Sequence, residues 1–182
     1  IAIDLKGESI LMDMIMEPEK TKAYFAAIGR VIERFFTYIH SETKTTSISV
    51  NRLARLLNGS LYLHSECSHT MISTDDYRDF LLPIDIEWSN KYRPYGIHYC
   101  GRDPHRHAEN FARVPHLDFL DLGWGGDVAL LREALPGTFF NIRLDPVSLN
   151  DFSRAELEEA IRQRVAQSKD PYLTGICCIN MD

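Results

Sequence analysis

Apolar and polar residues in the first long segment of the chain alternate with the period of an α-helix. From Pro18 to His40 the apolar side chains recur every three or four residues, and proline suits the first turn of a helix. The residues that follow this period are Tyr24, Ile28, Val31, Ile32, Phe35 and Ile39. The pattern predicts an amphipathic helix, and then a short helical segment at residues 50–57 that ends at Asn58-Gly59.

The pattern changes after Gly59 to short apolar runs that alternate with amphipathic segments. The runs predict strands within residues 60–67, 94–101, 117–124, 138–146 and 172–180. The segments between them predict helices within residues 75–92, 105–114, 126–135 and 154–167. Ser153 and Glu156 form a capping-box pattern that marks the start of the last helix. Alternation of this kind is typical of βαβ units and therefore predicts an α/β fold with a parallel sheet.

Polar and reactive side chains occur at the carboxyl end of nearly every predicted strand. In strand order they are His64, Glu66 and Cys67; His98 and Cys100; Asp121; Arg143 and Asp145; and Cys177 and Cys178. TIM barrels build their sites from several strand ends on one face, whereas an open doubly wound sheet collects them at one switch point. No dinucleotide-binding or P-loop glycine motif follows a predicted strand. The distribution favours part of a (β/α)8 TIM barrel.

The composition excludes several classes of protein. The 182 residues are 45% hydrophobic and 25% charged with a formal net charge of −6, and no Lys/Arg stripe suggests a nucleic-acid partner. No apolar run approaches the roughly 18 residues of a membrane span. Four cysteines without a paired framework indicate a reducing, cytoplasmic setting. We expect the chain, which opens at Ile1 without a secretory signal, to be a piece of a longer protein.

His98 and Cys100 are the leading candidates for chemistry. Residues two apart on a strand project from the same face, so these two can share one metal ion. Imidazole and thiolate are preferred zinc ligands, and catalytic zinc has three protein ligands and one open position. The third ligand could be Cys177 or Cys178, of which only one faces the ion, and we favour Cys177. The alternatives are buried cysteines that act as small apolar side chains, and a disulfide between Cys177 and Cys178.

The pair His98 and Cys100 lies at the end of a longer sequence pattern. Ser73, Tyr77, Phe80 and Pro83 precede the strand that ends in His98-Tyr99-Cys100-Gly101. The arrangement resembles the uroporphyrinogen decarboxylase superfamily, in which a helix with this spacing of Ser, aromatic and Pro residues leads to a strand that ends in His-x-Cys-Gly. The resemblance covers nearly all of the chain. It implies that residues 1–182 form a single incomplete domain, the C-terminal part of the barrel, with the N-terminal part absent.

The His-x-Cys sequence is most similar to the zinc-dependent methylcobamide:thiol methyltransferases of that superfamily, which also use a distant Cys near the last strand. Cys177 lies 77 residues after Cys100, an interval similar to theirs, although Ile176 separates it from Gly175 where the family has Gly-Cys. The resemblance implies zinc-dependent methyl transfer to a small thiol from a corrinoid protein or a methylated small molecule. The alternatives are a metal-free uroporphyrinogen decarboxylase of tetrapyrrole metabolism and a non-catalytic relative that binds a corrinoid or tetrapyrrole.

Other residues at the strand ends are candidates for the remaining roles. Glu66 could be a catalytic carboxylate that serves as a fourth metal ligand and dissociates when substrate enters, or it could pair with an Arg of a neighbouring strand. Asp121 could orient the ligand histidine or cap the next turn. His64 could line the substrate pocket or be a hydrogen-bonded core residue. Arg143, with Asn141 on the same face, could bind an anionic group of the substrate or form a salt bridge inside the barrel. Exposed apolar edges of a partial barrel could also lead to a homo-oligomer.

A basic stretch follows Cys100-Gly101 and contains Arg102, His105, Arg106 and His107. On the rim of a barrel it could attract an anionic substrate. The alternative is a solvated loop.

Overall fold

A computed structural model of the chain describes residues 1–44, 61–65 and 67–177. Within residues 1–44 the structure has three helices: α1 (Ala2–Lys6), α2 (Ser9–Met16) and α3 (Pro18–Thr43). The last confirms the predicted amphipathic helix, although Val31 and Phe35 are 69% and 54% exposed and lie on its solvent side. The predicted helical segment at residues 50–57 and its stop at Asn58-Gly59 lie outside the described residues.

All five predicted strands are present and form one parallel sheet. They are β1 (Tyr62–Ser65), β2 (Tyr95–Tyr99), β3 (Leu117–Leu122), β4 (Phe139–Arg143) and β5 (Thr174–Cys177). Their order in the sheet is β1-β2-β3-β4-β5, the same as their order in the chain. A doubly wound sheet reverses its strand order at a switch point, and the described sheet contains no such reversal. The predicted α/β class is therefore confirmed, and the sheet is consistent with part of a TIM-like fold.

Helical segments connect each strand to the next, as parallel pairing requires. Between β1 and β2 lie a 3-10 turn (Cys67–Met71), α4 (Thr74–Asp76), a π-helical turn (Tyr77–Leu81) and α5 (Leu82–Lys91). The later connections contain a 3-10 turn (Pro104–His107), α6 (Ala108–Phe111), α7 (Val128–Ala134), α8 (Pro146–Asp151), α9 (Arg154–Ser168) and a 3-10 turn (Pro171–Leu173). The predicted capping box at the start of α9 is confirmed, since Ser153 and Glu156 cap each other's backbone N–H groups.

The register of the strands aligns four polar residues and one glycine in one row across the sheet. The paired positions run Ser65, His98, Asp121, Asn141 and Gly175 from β1 to β5. Because side chains alternate between the two faces of a sheet, residues in one row project from the same face. Apolar neighbours such as Ile97, Leu120 and Ile142 are buried in the core that the sheet forms with its helices. This alternation leaves the polar row as the place where chemistry can be built.

Arg132 on α7 joins the later helices to the sheet. Its guanidinium is 5% exposed and lies 3.9 Å from the centre of the Phe140 ring. Its hydrogen bonds go to the carbonyl oxygens of Leu135, Pro136, Thr138, Ser168 and Leu173. One side chain therefore satisfies carbonyl groups at the end of α7, before β4, at the end of α9 and before β5.

Candidate metal centre

Three side chains meet at the carboxyl ends of the first two strands. His98 lies on β2, Cys100 directly follows that strand, and Cys67 opens the 3-10 turn after β1. His98 Nε2 is 2.7 Å from Cys100 Sγ, which is 3.0 Å from Cys67 Sγ. All three potential ligand atoms lie within 4.8 Å of one another. We refer to Cys67, His98 and Cys100 as the thiol–imidazole cluster, and it could hold a metal ion.

The register of the sheet explains why these residues meet. Ser65 pairs with His98, and each is followed two positions later by a cysteine, Cys67 and Cys100 respectively. Because these paired strands end side by side, the segments that follow them are adjacent, and the two thiols lie 3.0 Å apart there. Cys67 is exposed and Cys100 is half-buried, whereas His98 is 1% exposed. The cluster therefore has its imidazole in the interior and its thiols near the surface.

Asp121 fixes the orientation of the His98 ring. Its Oδ2 contacts His98 Nδ1, and its Oδ1 accepts a hydrogen bond from Asn141 Nδ2 at 2.8 Å. Arg143 Nε lies 3.8 Å from the same Oδ1. When Nδ1 faces a carboxylate, Nε2 is the nitrogen that faces the thiols, which is the usual arrangement of a histidine that binds a metal. The contact that the orienting role of Asp121 requires is thus present.

The charges of the cluster favour an ionised thiol. The hydrogen bond with His98 is the main cause that lowers the pKa of Cys100 to about 7, against burial, which raises it. The neighbouring Cys67 thiol and the Arg143 side chain lower it further. For His98, burial lowers the pKa, but hydrogen bonds with Asp121 and Cys100 raise it by more, to about 10. Metals bind the thiolate form, so this environment prepares Cys100 to be a ligand.

Cys177, the third ligand predicted from the sequence, lies elsewhere on the sheet. It ends β5 and pairs with Arg143 on β4, while the thiol–imidazole cluster lies at β1 and β2. Three strand spacings separate β5 from β2, about 14 Å measured along the sheet. The structure therefore does not bring Cys177 into the cluster, and Cys67 takes the place expected for it. Cys178 lies outside the described residues.

The candidate substrate residues lie in two places. Asn141 is fully buried and Arg143 is 6% exposed, and Arg143 donates hydrogen bonds to the carbonyl oxygens of Tyr99 and Leu122. Both support Asp121 and the strand ends, and a substrate contact from either stays a prediction. His64 on β1 lines two cavities beside Cys67.

Glu66, the other predicted catalytic carboxylate, lies outside the described residues. The role of this side chain therefore stays a prediction.

The basic stretch after Cys100 is only partly on the surface. His107 is fully buried, and its ring centre lies 4.1 Å from that of His69. Tyr77, Tyr99 and Phe111 surround these two rings. Arg106 donates to the carbonyl oxygens of His69, Thr70 and Ile72, so it holds the loop after β1 in place.

Two comparisons with known proteins give no relative from which a function could be inferred. No protein-family model matches the chain, and no curated protein matches it. Within the described ranges, no helix has the length and apolar character needed to cross a membrane.

Proposed function

We propose that this chain is part of a zinc-dependent methyltransferase that transfers a methyl group from a corrinoid-type donor to a thiol. The thiol–imidazole cluster with Asp121 behind His98 is the observation that carries the proposal. Two thiolates and one imidazole are a zinc ligand set that leaves the fourth tetrahedral position for a substrate. When bound, zinc lowers the pKa of a coordinated thiol, so that the thiolate predominates near neutral pH.

The residues of the chain have separate parts in this proposal. Cys67 and Cys100 supply the thiolates, and Asp121 holds His98 so that Nε2 faces the metal position. Arg143 lies beside Asp121 and Cys100 and offsets part of their negative charge. The acceptor sulfur attacks the methyl carbon: the new S–C bond forms as the bond to the donor breaks, and its electron pair stays with the donor.

The order of the strands supports the finer fold proposal, a (β/α)8 barrel. Five parallel strands in sequential order, with reactive residues at their carboxyl ends, are what a run of consecutive barrel strands would show. A metal-free decarboxylase would have no use for a cluster of two thiols and an imidazole. A non-catalytic binder of a corrinoid or tetrapyrrole would need neither the thiol–imidazole cluster nor the carboxylate behind His98.

Zinc content is the first test. We expect elemental analysis of the purified chain to find about one zinc ion per chain, and variants Cys67→Ser, His98→Ala and Cys100→Ser to lose it. Cys177→Ser is the matched control, because Cys177 lies outside the cluster and should not affect zinc binding. Loss of zinc in Cys177→Ser but not in Cys67→Ser would favour the ligand set predicted from the sequence. Absence of zinc in the unmodified chain would overturn the metal proposal.

Methyl transfer is tested separately on the zinc-loaded chain. Methylcobalamin and a small thiol are supplied, and demethylation of the corrinoid is followed by its visible absorbance together with the methyl thioether formed. We expect transfer only with zinc present. A zinc-loaded chain without transfer would contradict the activity and leave the metal site standing, whereas tight binding of uroporphyrinogen by the metal-free chain would favour the decarboxylase.

A further inference from the structure

The two cysteines of the thiol–imidazole cluster lie close enough to react with each other. Both are free thiols, and Cys67 Sγ is 3.0 Å from Cys100 Sγ. Tetrahedral zinc with Zn–S bonds of about 2.3 Å keeps two sulfur ligands about 3.8 Å apart, whereas the sulfurs of a disulfide are about 2.05 Å apart. The observed separation lies between these values. A movement of about 1 Å therefore brings the two sulfurs to bonding distance.

The fold holds both thiols at the edge of the sheet where β1 and β2 end. Ser65 pairs with His98 at the ends of these strands, and neighbouring strands lie about 4.8 Å apart. That spacing falls within the Cα separation of about 4.4–6.8 Å that a disulfide requires. The hydroxyl group of Thr70 donates a hydrogen bond to the carbonyl oxygen of Cys67 at 3.2 Å, which fixes the turn after β1. The backbone therefore positions the pair.

The two sulfurs differ in their access to solvent. Cys67 is exposed, whereas Cys100 is half-buried beside His98. An accessible cysteine with a second thiol next to it is the usual arrangement of a redox-active pair. Cys177 ends β5, three strand spacings away from β2. Among the described cysteines, Cys100 is therefore the one that Cys67 can reach.

We propose that Cys67 and Cys100 are a modification site, at which a hydroperoxide forms a reversible disulfide that displaces the metal. The Cys67 sulfur attacks one peroxide oxygen: the S–O bond forms, the O–O bond breaks, and the released alkoxide takes the thiol proton to become an alcohol. The Cys100 sulfur then attacks the sulfur of this sulfenic acid: the S–S bond forms, the S–O bond breaks, and hydroxide leaves as water with the Cys100 proton. The two thiols together lose two electrons and two protons, which the peroxide accepts.

The disulfide removes two of the three ligand atoms of the cluster, because a metal binds the thiolate form of cysteine. His98 alone then remains, too few ligands for zinc. A dithiol reverses the change by exchange: its own disulfide forms as the bond between Cys67 and Cys100 breaks, and its two protons pass to the cysteines. The effect on zinc rests on the proposed function, whereas the disulfide itself does not.

Two variants that each keep two cysteines test the disulfide without metal. The near pair keeps Cys67 and Cys100 and carries Cys177→Ser and Cys178→Ser. The distant pair keeps Cys67 and Cys177 and carries Cys100→Ser and Cys178→Ser. The purified, metal-free chains are treated with hydrogen peroxide, linked peptides are mapped by mass spectrometry, and dimedone labels any sulfenic acid. Circular dichroism checks that both variants are folded.

We expect an intramolecular disulfide to be the main product of the near pair. The distant pair should instead accumulate sulfenic acid at Cys67, since no second thiol is held next to it. Dimedone labelling of Cys67 should therefore be at least about 10-fold lower in the near pair, because neighbouring groups in a fixed geometry react at a high effective concentration. In the unmodified chain the linked peptides should join Cys67 to Cys100, and a link between Cys177 and Cys178 in their place would overturn the inference.

Release of zinc tests the effect on the metal. The zinc-loaded, unmodified chain is treated with hydrogen peroxide in the presence of a chromophoric zinc chelator. We expect about one zinc ion to be released per disulfide formed. Dithiothreitol should then restore both thiols and zinc binding.

The outcomes are separable from those of the proposed function. A chain that binds no zinc but still links Cys67 to Cys100 would contradict the metal proposal and support the disulfide. A zinc-loaded chain whose near pair gives no more disulfide than the distant pair would overturn the inference and leave the metal site standing. Zinc that stays bound while the disulfide forms would overturn the displacement of the metal.

Discussion

Asp121 supports the proposed metal centre from behind His98, without contacting the metal position itself. It is fully buried, and its two oxygens engage His98 and Asn141. In Asp121→Asn the charge is lost, and the single acceptor oxygen of the amide replaces the two oxygens that serve His98 and Asn141. We expect zinc affinity to fall about 10- to 100-fold, the usual loss when a partner behind a ligand histidine is removed. Competition with a chromophoric zinc chelator measures the change.

Asp118→Asn is the matched control for this variant. Asp118 lies on the same strand, near its start, and pairs with Arg93 instead of a cluster residue. Its replacement should leave zinc affinity unchanged. Equal losses in the two variants would show that β3 tolerates no change of carboxylate, and no loss in Asp121→Asn would contradict the orienting role.

Burial of His107 should make the free energy of unfolding depend on pH. Burial is the main cause that lowers its pKa to about 3, and the neighbouring His69 and Arg106 lower it further, while Asp103 opposes them. In the unfolded chain the imidazole takes up a proton near its ordinary pKa of about 6.5. Between these two values the unfolded state binds more protons than the folded state. The free energy of unfolding should therefore be largest above pH 6.5 and fall as the pH decreases toward 3.

Urea unfolding at a series of pH values tests this expectation. His107→Phe keeps an aromatic ring in the same surroundings and removes the titrating group, so the loss of stability between pH 7.5 and 5 should shrink. His116→Phe, in the half-buried loop before β3, is the control and should retain the slope of the unmodified chain. An unchanged slope in His107→Phe would rule out this residue as the source.

Gly123 sets how closely the end of β3 approaches the turn after β2. A Cβ atom at this position would lie 1.9 Å from the carbonyl oxygen of Gly101 and 2.8 Å from that of Cys100. Both are backbone atoms beside a cluster thiol, so they cannot move without moving the thiol. Gly123→Ala should lower the free energy of unfolding by about 1–3 kcal/mol, as overpacking usually does.

Gly137 supplies the control for this substitution. A Cβ there meets no atom within 4 Å, so Gly137→Ala should change the urea midpoint little. Gly123→Ala should also weaken zinc binding, and Gly137→Ala should not. Equal stability of the two variants would contradict the prediction, because it would mean that the segments after β2 and β3 move apart without loss of stability.

The elements were predictable from the sequence because their signals are local. Every strand, the long helix from Pro18 and the capping box at Ser153 follow from periodicity or from fixed spacings. The sequence alone does not mark Cys67 as a possible ligand, because its approach to Cys100 depends on the pairing of Ser65 with His98. Register between strands is a tertiary property. The interval in the sequence favours Cys177, but that interval does not measure distance across a sheet.

Metal binding should stabilise the whole fold and so raise its free energy of unfolding. The cluster joins the segment after β1 to β2 and the turn that follows it, so the metal binds the folded chain in preference to the unfolded one. Zinc at 100 times its dissociation constant should add about 2.7 kcal/mol to the free energy of unfolding. Urea unfolding with zinc and with a chelator measures the difference. Cys67→Ser should abolish it, and a similar gain in that variant would place the metal elsewhere.

The sequence does not show whether the sheet stays open or closes into a barrel. Alternation of strands and helices fixes the α/β class, but an open sheet and a barrel share that alternation. The burial of His107 within a basic stretch also has no local signal, because it depends on rings contributed by Tyr77, Tyr99 and Phe111 from three different segments. Long-range packing of this kind is visible only in the structure.

The sequential strand order has a consequence for biosynthesis. Each strand pairs with the one made just before it, so the sheet can grow by one strand at a time as the chain leaves the ribosome. Cys67 and Cys100 are 33 residues apart, and both emerge before β3, which brings Asp121. The residues of the thiol–imidazole cluster and Asp121 are thus all synthesised before β4 and β5. Under the proposed function, the metal site can therefore be complete before the last two strands are made.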